Sequence, residues 1–438
     1  MAEMQEVKPA QRATKAKEEE EASEGNKKMK RSAFSWLRER KVRELVRDKR
    51  RLVEVPYTAT LAHTVNAFVA NRISAVPVAA PPGHWIGAGG SMILESDRAT
   101  GAVRKHYIGM VTMLDVLAHI AAAGDDEDGQ ESDRRRDDDT AAGQQSELDR
   151  RMAVAVSTVI GHSLEGLSLW TLNPNTSLLD CMETFSKGVH RALVPVESQM
   201  NHAIAVELVE ASPGYKMLTQ MDVLSFLREQ SQQVKDILSH GVTELGAASE
   251  TIFAVSKNAR VIDIIKTMRA AGLSAVPVVD RPLSDDQILQ EGKGKRVIET
   301  FSATDLGECP IDLLRSWLGL TVTEFKGRLR TRARVDGRAG EETRKGVIAC
   351  GPEARLVDVM EMAVSNHVHR VWVVEGDGML KGLVSITDML RVIRDSNGKL
   401  TLFDHLPFPY LLRYVCEESN TNISGVDVDL QFLDMQLL

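Results

Sequence analysis

One pattern occurs four times along this chain of 438 residues and constrains its fold more than any other feature. In each copy an apolar run ends in a hydroxyl residue, an aspartate stands three positions later, and helical sequence follows. The hydroxyl residues are Thr112, Thr219, Ser302 and Ser385, and the aspartates are Asp115, Asp222, Asp305 and Asp388. Self-similarity of this kind predicts tandem copies of one small fold.

An amphipathic helix pattern lies upstream of each copy. Inward positions recur at i, i+3, i+4 and i+7, starting from Leu61, Leu178, Val261 and Leu356. This spacing is typical of a helix that buries one face. Short strand-like runs such as Ala75-Val76-Pro77-Val78 come next. The order helix, strand, strand, helix predicts an α+β fold with four repeats.

Composition divides the chain into eight segments. The polar N-terminus is poor in large apolar groups, which predicts disorder before a short docking helix from Phe34 to Val46. The basic run Arg47 to Arg51 is alternatively a nuclear import signal. The predicted segments are a disordered, basic tail with a short helix (1–50), repeat one (51–123), an acidic disordered linker (124–151), repeat two (152–230), repeat three (236–308), a helical connector (309–345), repeat four (346–396) and a C-terminal tail (397–438).

Charge and composition exclude several classes of function. The net charge of −8 disfavours binding to nucleic acid or anionic lipid. The four cysteines are far apart and form no CxxC, which indicates a reducing compartment and no zinc site. No apolar run approaches ~20 residues, so no membrane span is expected. The N-terminus is charged and unlike a secretory signal, so we expect a cytoplasmic or nuclear location, or both.

The tandem of helix, strand, strand and helix with a hydroxyl-x-x-Asp before the last helix resembles the CBS domain. Four copies resemble the gamma subunit of AMP-activated protein kinase and of sucrose-non-fermenting-related kinases, over about residues 50–396. The run from Val55 to Gly90 is similar to the plant pollen-associated gamma-like branch. The resemblance implies repeats paired into two modules, a pseudo-symmetric disk, clefts for AMP, ADP or ATP, and kinase alpha and beta subunits as partners. It implies no resident cofactor and no metal.

The hydroxyl-x-x-Asp groups have two interpretations. A Ser or Thr with an acidic residue three positions later forms a capping box, which stabilises a helix by about 1 kcal/mol without any ligand. The same helix start can instead bind an anion with its N–H groups, while the carboxylate accepts ribose hydroxyls. The resemblance assigns ribose binding to Asp115, Asp222, Asp305 and Asp388, with the four hydroxyl residues at the helix start.

Two His-Arg pairs, His190-Arg191 and His369-Arg370, open the strands of repeats two and four. They are either solvated residues at a strand start or cations aimed at a nucleotide phosphate, for which arginine supplies a bidentate fork. The resemblance implies phosphate contacts at both positions.

The chain departs from the gamma pattern in two places. Ser74 stands where repeat one of that family usually has an arginine, whereas Ser274 in repeat three fits the pattern. Asp222 is present where animal gamma subunits lack an aspartate. Nucleotide preference therefore does not transfer from the resemblance.

The search for catalytic motifs finds no GxSxG, no HExxH, no nucleotide-hydrolysis loop and no kinase signature set. We expect no catalytic residues and no enzyme activity. The hypothesis is a regulatory subunit that binds adenine nucleotides. The alternative is a scaffold for protein partners that senses no nucleotide.

Overall fold

The computed structural model of this chain describes residues 33–80, 107–121, 149–161, 169–196, 214–280, 288–309, 311–335 and 346–395. Its main helices are α1 (33–39), α2 (Val42–Val46), α3 (Leu61–Asn71), α4 (Met113–Ala121), α5 (Leu178–Ser186), α6 (Gln220–Glu229), α7 (Lys235–Leu238), α8 (Val261–Ala270), α9 (Ala303–Gly307), α10 (Ile311–Leu318), α11 (Val322–Val335), α12 (Leu356–Ser365) and α13 (Ile386–Asp395). Its strands are β1 (Val55–Pro56), β2 (Ala75–Ala79), β3 (Tyr107–Thr112), β4 (Trp170–Thr171), β5 (Arg191–Pro195), β6 (Tyr215–Thr219), β7 (Phe253–Ser256), β8 (Ala275–Val279), β9 (Gln290–Glu291), β10 (Val297–Ser302), β11 (Ala349–Cys350), β12 (Arg370–Glu375) and β13 (Met379–Ser385).

Each repeat has its own small sheet. The strand orders are β1-β2-β3, β4-β5-β6, β10-β8-β7-β9 and β11-β12-β13. In each sheet the central strand pairs in parallel with the short first strand and antiparallel with the strand that ends at the hydroxyl residue. The register at that end is the same in all four sheets. The pairs are Ala75 with Thr112, Arg191 with Thr219, Ala275 with Ser302 and Arg370 with Ser385.

The four predicted amphipathic helices are α3, α5, α8 and α12, and each buries the face that its spacing defines. In α5, for example, Leu178, Cys181, Met182 and Phe185 are all fully buried. Burial of one such side chain removes it from water with a gain of about 1.5–3 kcal/mol. The helices therefore attach each sheet to a shared core.

Two large cores join the repeats in pairs. One contains side chains of repeats one and three, including Phe68 and Phe301, and the other contains side chains of repeats two and four, including Phe185 and Met389. Helices make these contacts: α4 packs on α8 and α9, α13 packs on α5 and α6, and α12 packs on α6.

The sheets make a second set of contacts that pairs repeat one with two and repeat three with four. The rings of Tyr107 and Tyr215 meet edge to face at 5.7 Å in the first pair. In the second pair, Trp372 donates from Nε1 to Thr300 Oγ1 at 2.8 Å inside a small apolar cluster. Helix contacts and sheet contacts together close the four repeats into a ring of two modules, in which repeats one and two form the first module and repeats three and four form the second. This confirms the predicted α+β fold of four tandem repeats.

The segment before each repeat packs against the other repeat of the same module. The first N–H of each amphipathic helix has no partner within its helix. In all four repeats it donates to a carbonyl of such a lead-in segment at 2.8–2.9 Å. The pairs are Leu61 with Val154, Leu178 with Arg40, Val261 with Leu320 and Leu356 with His240. The docking segment predicted from Phe34 to Val46 thus forms α1 and α2 on repeat two, where Trp36 stacks on Phe226.

The segment boundaries predicted from composition stay predictions. The N-terminal 32 residues, the acidic stretch 124–148 and the tail from 397 lie outside the described residues. No helix in the described ranges has the length and apolar character needed to cross a membrane.

Candidate functional site

The four hydroxyl-x-x-Asp groups all form the same cap. The backbone N–H of the hydroxyl residue donates to Oδ2 of the aspartate at 2.7–3.1 Å. In repeats one, two and four the hydroxyl also donates to that oxygen, while the aspartate N–H returns a bond to the hydroxyl. The capping interpretation of the sequence is therefore realised in the fold. The ribose role of the aspartates stays a prediction.

A second set of backbone hydrogen bonds places the strand starts beside these caps. The residue after each hydroxyl residue donates its N–H to the carbonyl of the residue before the central strand, at 2.9–3.1 Å. The pairs are Met113 with Ser74, Gln220 with His190, Ala303 with Ser274 and Ile386 with His369. His190 and His369 are exposed residues that lie next to a helix start.

The two predicted arginines cross the interface within their modules. Arg191 donates from Nη2 to Ser74 Oγ of repeat one at 3.0 Å. Arg370 donates from Nη2 to Ser274 Oγ of repeat three at 2.6 Å and from Nη1 to the carbonyl of Ala275 at 2.6 Å. Each module thus holds one guanidinium at the junction of its two repeats.

Burial lowers the pKa of the Arg370 side chain. Desolvation lowers the pKa of this guanidinium to about 10, while the nearby carboxylate of Asp388 acts in the opposite direction. At neutral pH the group is still fully protonated. The second module therefore combines a fixed, largely desolvated cation with a capping carboxylate in one place.

Asp222, Asp305 and Asp388 also have a cation partner that the sequence patterns did not indicate. Lys49 Nζ contacts Oδ2 of Asp222. Lys326 Nζ lies 2.9 Å from Oδ1 of Asp305. The third pair is Arg391 Nη2 with Oδ1 of Asp388 at 3.3 Å. Lys49 and Lys326 reach their partners from lead-in segments, so only the tertiary fold brings them together.

Exposure separates the four aspartates. The side chains of Asp222, Asp305 and Asp388 are 28%, 16% and 20% exposed. Asp115 is 1% exposed and lies inside the protein. Three of the predicted ribose carboxylates thus reach the surface at the helix starts, whereas Asp115 does not.

The search for metal ligands gives no candidate in the described part of the chain, where no three His, Cys, Asp or Glu side chains form a suitable group. The groups available to bind a ligand are those of the caps and of the repeat interfaces: N–H donors at helix starts, carboxylates, imidazoles and guanidinium groups.

Comparison with known proteins identifies a matching family and a solved structure with the same fold. The CBS domain family matches residues 340–395. The crystal structure of protein MJ1225 from Methanocaldococcus jannaschii, described as an archaeal homologue of g-AMPK, shares the fold. It has a TM-score of 0.50 and 17% identity, and the match covers 80% of this chain and 99% of that one.

Relatives of higher identity come from Arabidopsis thaliana. The SNF1-related protein kinase regulatory subunit gamma-like PV42a is 50% identical over 361 residues, which covers 81% of this chain and 94% of the relative. The related protein PV42b is 48% identical over 366 residues and 97% of its length. Both matches cover more than four fifths of this chain. The chain therefore belongs to the family of CBS-domain, gamma-like regulatory subunits of SNF1-related protein kinases.

Proposed function

We propose that this protein is a non-catalytic, gamma-type subunit of a SNF1-related serine/threonine kinase complex, and that its repeats bind AMP, ADP or ATP. The kinase complex would supply a catalytic alpha and a scaffolding beta subunit as partners. The regulatory role follows from the family. Nucleotide binding and the two partner subunits are the proposed part.

The observation that carries nucleotide binding is the pair of module junctions. Each junction holds a guanidinium at an interface between repeats, next to an exposed histidine and a helix start. Arginine forks suit phosphate oxygens, and backbone N–H groups at a helix start favour an anion. The capping carboxylates accept the cap through Oδ2. A ribose hydroxyl would donate to the same carboxylate group, in competition with Lys49, Lys326 or Arg391 where that cation is paired with it.

A regulatory effect then requires different affinities in two states of the complex. A ligand shifts such an equilibrium only by as much as it prefers one state. AMP and ATP differ in phosphate charge, so a junction with one fixed guanidinium can favour one of them.

The test is calorimetry of the full chain with AMP, ADP, ATP and GMP, the last as a control with another base. Binding of at least one adenine nucleotide is expected, with GMP much weaker. Equal heats for all four, or none, would contradict the proposal. Co-purification with kinase alpha and beta chains tests the complex separately, and retention of both is expected.

A second function, a scaffold whose clefts hold no nucleotide, is favoured by one observation. Lys49, Lys326 and Arg391 already satisfy three of the capping carboxylates. A ligand that binds only the folded state raises the melting temperature. A scaffold therefore predicts co-purification with the kinase chains together with no thermal shift in nucleotide.

A further inference from the structure

Residues 46–49, here called the N-terminal strap, cross the start of α6 and are tied to repeat two. Lys216 of β6 donates from Nζ to the carbonyls of Val46 and Arg47 at 2.9 and 2.6 Å. Lys49 forms an ion pair with Asp222. The strap also closes a turn of its own, because the Lys49 N–H donates to the Val46 carbonyl at 3.2 Å. It is therefore an ordered segment anchored at the helix start that carries Asp222.

Lys49 competes with any ligand for the same carboxylate. Oδ2 of Asp222 accepts the N–H and the hydroxyl of Thr219, each at 2.7 Å, and Lys49 adds an ammonium to that oxygen. An ammonium on a carboxylate neutralises the charge that makes it a strong acceptor. A sugar hydroxyl would have to share or displace this partner.

The exposure of the pair makes displacement inexpensive. The side chains of Lys49 and Asp222 are 26% and 28% exposed, so a released ammonium would be solvated. An ion pair at this exposure contributes about 1 kcal/mol or less. The corresponding pair of Lys326 and Asp305 is less exposed, at 15% and 16%, and Lys326 also lies 3.9 Å from Glu299. Release there would leave charges in poorly solvated positions.

The origin of the cation distinguishes repeat two from repeat four. Arg391 lies on the same helix as Asp388, whereas Lys49 comes from the segment that continues α2 toward repeat one. That segment is held on repeat two by α1 and α2, whose Leu37 and Val42 are buried in its core. Occupancy at Asp222 is thereby linked to the docking of the N-terminal segment.

We propose that the N-terminal strap closes the repeat-two site, with Lys49 in the place that a nucleotide ribose would take. Ligand binding at Asp222 then requires release of the strap. This inference rests on the nucleotide binding proposed above, and it makes Lys49 the residue that decides whether repeat two takes a ligand.

The test is calorimetry of the full chain with AMP. Asp222→Asn shows which binding transition belongs to repeat two, because that transition is the one lost in this variant. The comparison is made in the otherwise unchanged chain and in a Lys49→Gln chain. Lys49→Gln is expected to tighten that transition by about fivefold, which corresponds to about 1 kcal/mol, the upper end of what an ion pair near the surface contributes. The double variant Lys49→Gln with Asp222→Asn is expected to lose the gain.

A matched control and a second opening variant keep the result interpretable. Lys187→Gln removes a lysine of the same repeat that pairs with the exposed Glu183 at 3.0 Å, and it should bind AMP like the unchanged chain. Lys216→Gln removes the hydrogen bonds that hold the strap, while Lys49 and Asp222 themselves are not substituted. The released strap should carry Lys49 away from Asp222, so a gain in affinity like that of Lys49→Gln is expected. This second variant decides the question if Lys49→Gln perturbs folding.

The outcomes separate the two proposals. If the unchanged chain binds AMP but neither opening variant tightens a transition that depends on Asp222, the strap proposal is overturned and nucleotide binding stands. If no variant binds AMP at all, the strap proposal is overturned, and the calorimetry with ADP and ATP decides nucleotide binding separately. If AMP binds only after the strap is untied, the strap proposal is supported and the resting protein has a closed site.

Discussion

Arg370 of repeat four donates from Nη2 to the hydroxyl of Ser274 in repeat three, across 2.6 Å. Arg191 makes the equivalent bond to Ser74 in the other module, at 3.0 Å. Ser74 stands where repeat one of the gamma family usually has an arginine. The structure shows that the serine of each odd repeat accepts a hydrogen bond from the arginine of the even repeat.

Ser274→Ala tests this junction through stability. The change removes the acceptor of a charged donor, and Arg370 keeps only the carbonyl of Ala275. Hydrogen bonds to charged groups are worth about 1.5–3 kcal/mol, so a loss of about 1–2 kcal/mol in the free energy of unfolding is expected. Urea denaturation measures it. Ser316→Ala, at an exposed serine bound to the Leu313 carbonyl, is the control and should cost less than about 0.5 kcal/mol. Equal losses would contradict a special role for the junction.

Leu37→Ala tests the crossed packing of the lead-in segments. Leu37 is 1% exposed and belongs to the core of repeats two and four. Removal of a buried leucine side chain costs about 2–5 kcal/mol. Hydrogen exchange should rise in α5 and α6 of repeat two more than in α3 of repeat one. An increase in hydrogen exchange confined to repeat one, which follows this segment in the chain, would contradict the packing of α1 and α2 on repeat two.

Asp388→Asn tests the carboxylate in nucleotide binding. Loss of a charged acceptor is expected to weaken AMP binding by about tenfold, or roughly 1.4 kcal/mol, in calorimetry. The control is Asp358→Asn, which removes a carboxylate of the same repeat that pairs with Arg355 on the exposed surface at 2.9 Å. Unchanged affinity in Asp388→Asn would reject this residue as a ribose contact.

The buried thiols predict a pH effect. Desolvation raises the pKa of Cys181 to about 12 and that of Cys350 to about 11, from an ordinary value of 9.0. Above about pH 9 the unfolded chain loses these protons while the native protein retains them. Native protein then binds more protons, so the free energy of unfolding falls as the pH rises from about 9 to 11.

The same shift makes these thiols slow to react, because the thiolate is the nucleophile. Alkylation by iodoacetamide at pH 8, followed by mass spectrometry, should modify Cys181 and Cys350 far more slowly in native protein than in urea. Equal rates in the two conditions would contradict their burial.

Local structure in this chain was largely predictable. The spacing that starts at Leu178 and at Val261 predicts helices α5 and α8, because a buried helical face requires apolar residues every three to four positions. The hydroxyl-x-x-Asp groups predict the caps, because both capping partners lie three residues apart. These features depend on neighbours in sequence, so no tertiary information is needed to find them.

The candidate site was predictable only in part. His190, Arg191, His369 and Arg370 were selected by their matching positions. Backbone hydrogen bonds place the two histidines beside the helix starts, and their role as phosphate contacts stays a prediction. The exposure of the four aspartates was not predictable. Asp115 has the same motif as Asp388 yet is 1% exposed, whereas the side chain of Asp388 is 20% exposed.

The sequence by itself determined four copies of one helix, strand, strand, helix unit and the residues at each helix start, because those depend on spacing within about 60 residues. Only the tertiary structure decided which repeat each lead-in segment covers and which cation meets which carboxylate. Lys49 and Asp222 are 173 positions apart in the chain. Contacts at that separation arise from the closure of the ring of repeats, which leaves no local pattern in the sequence.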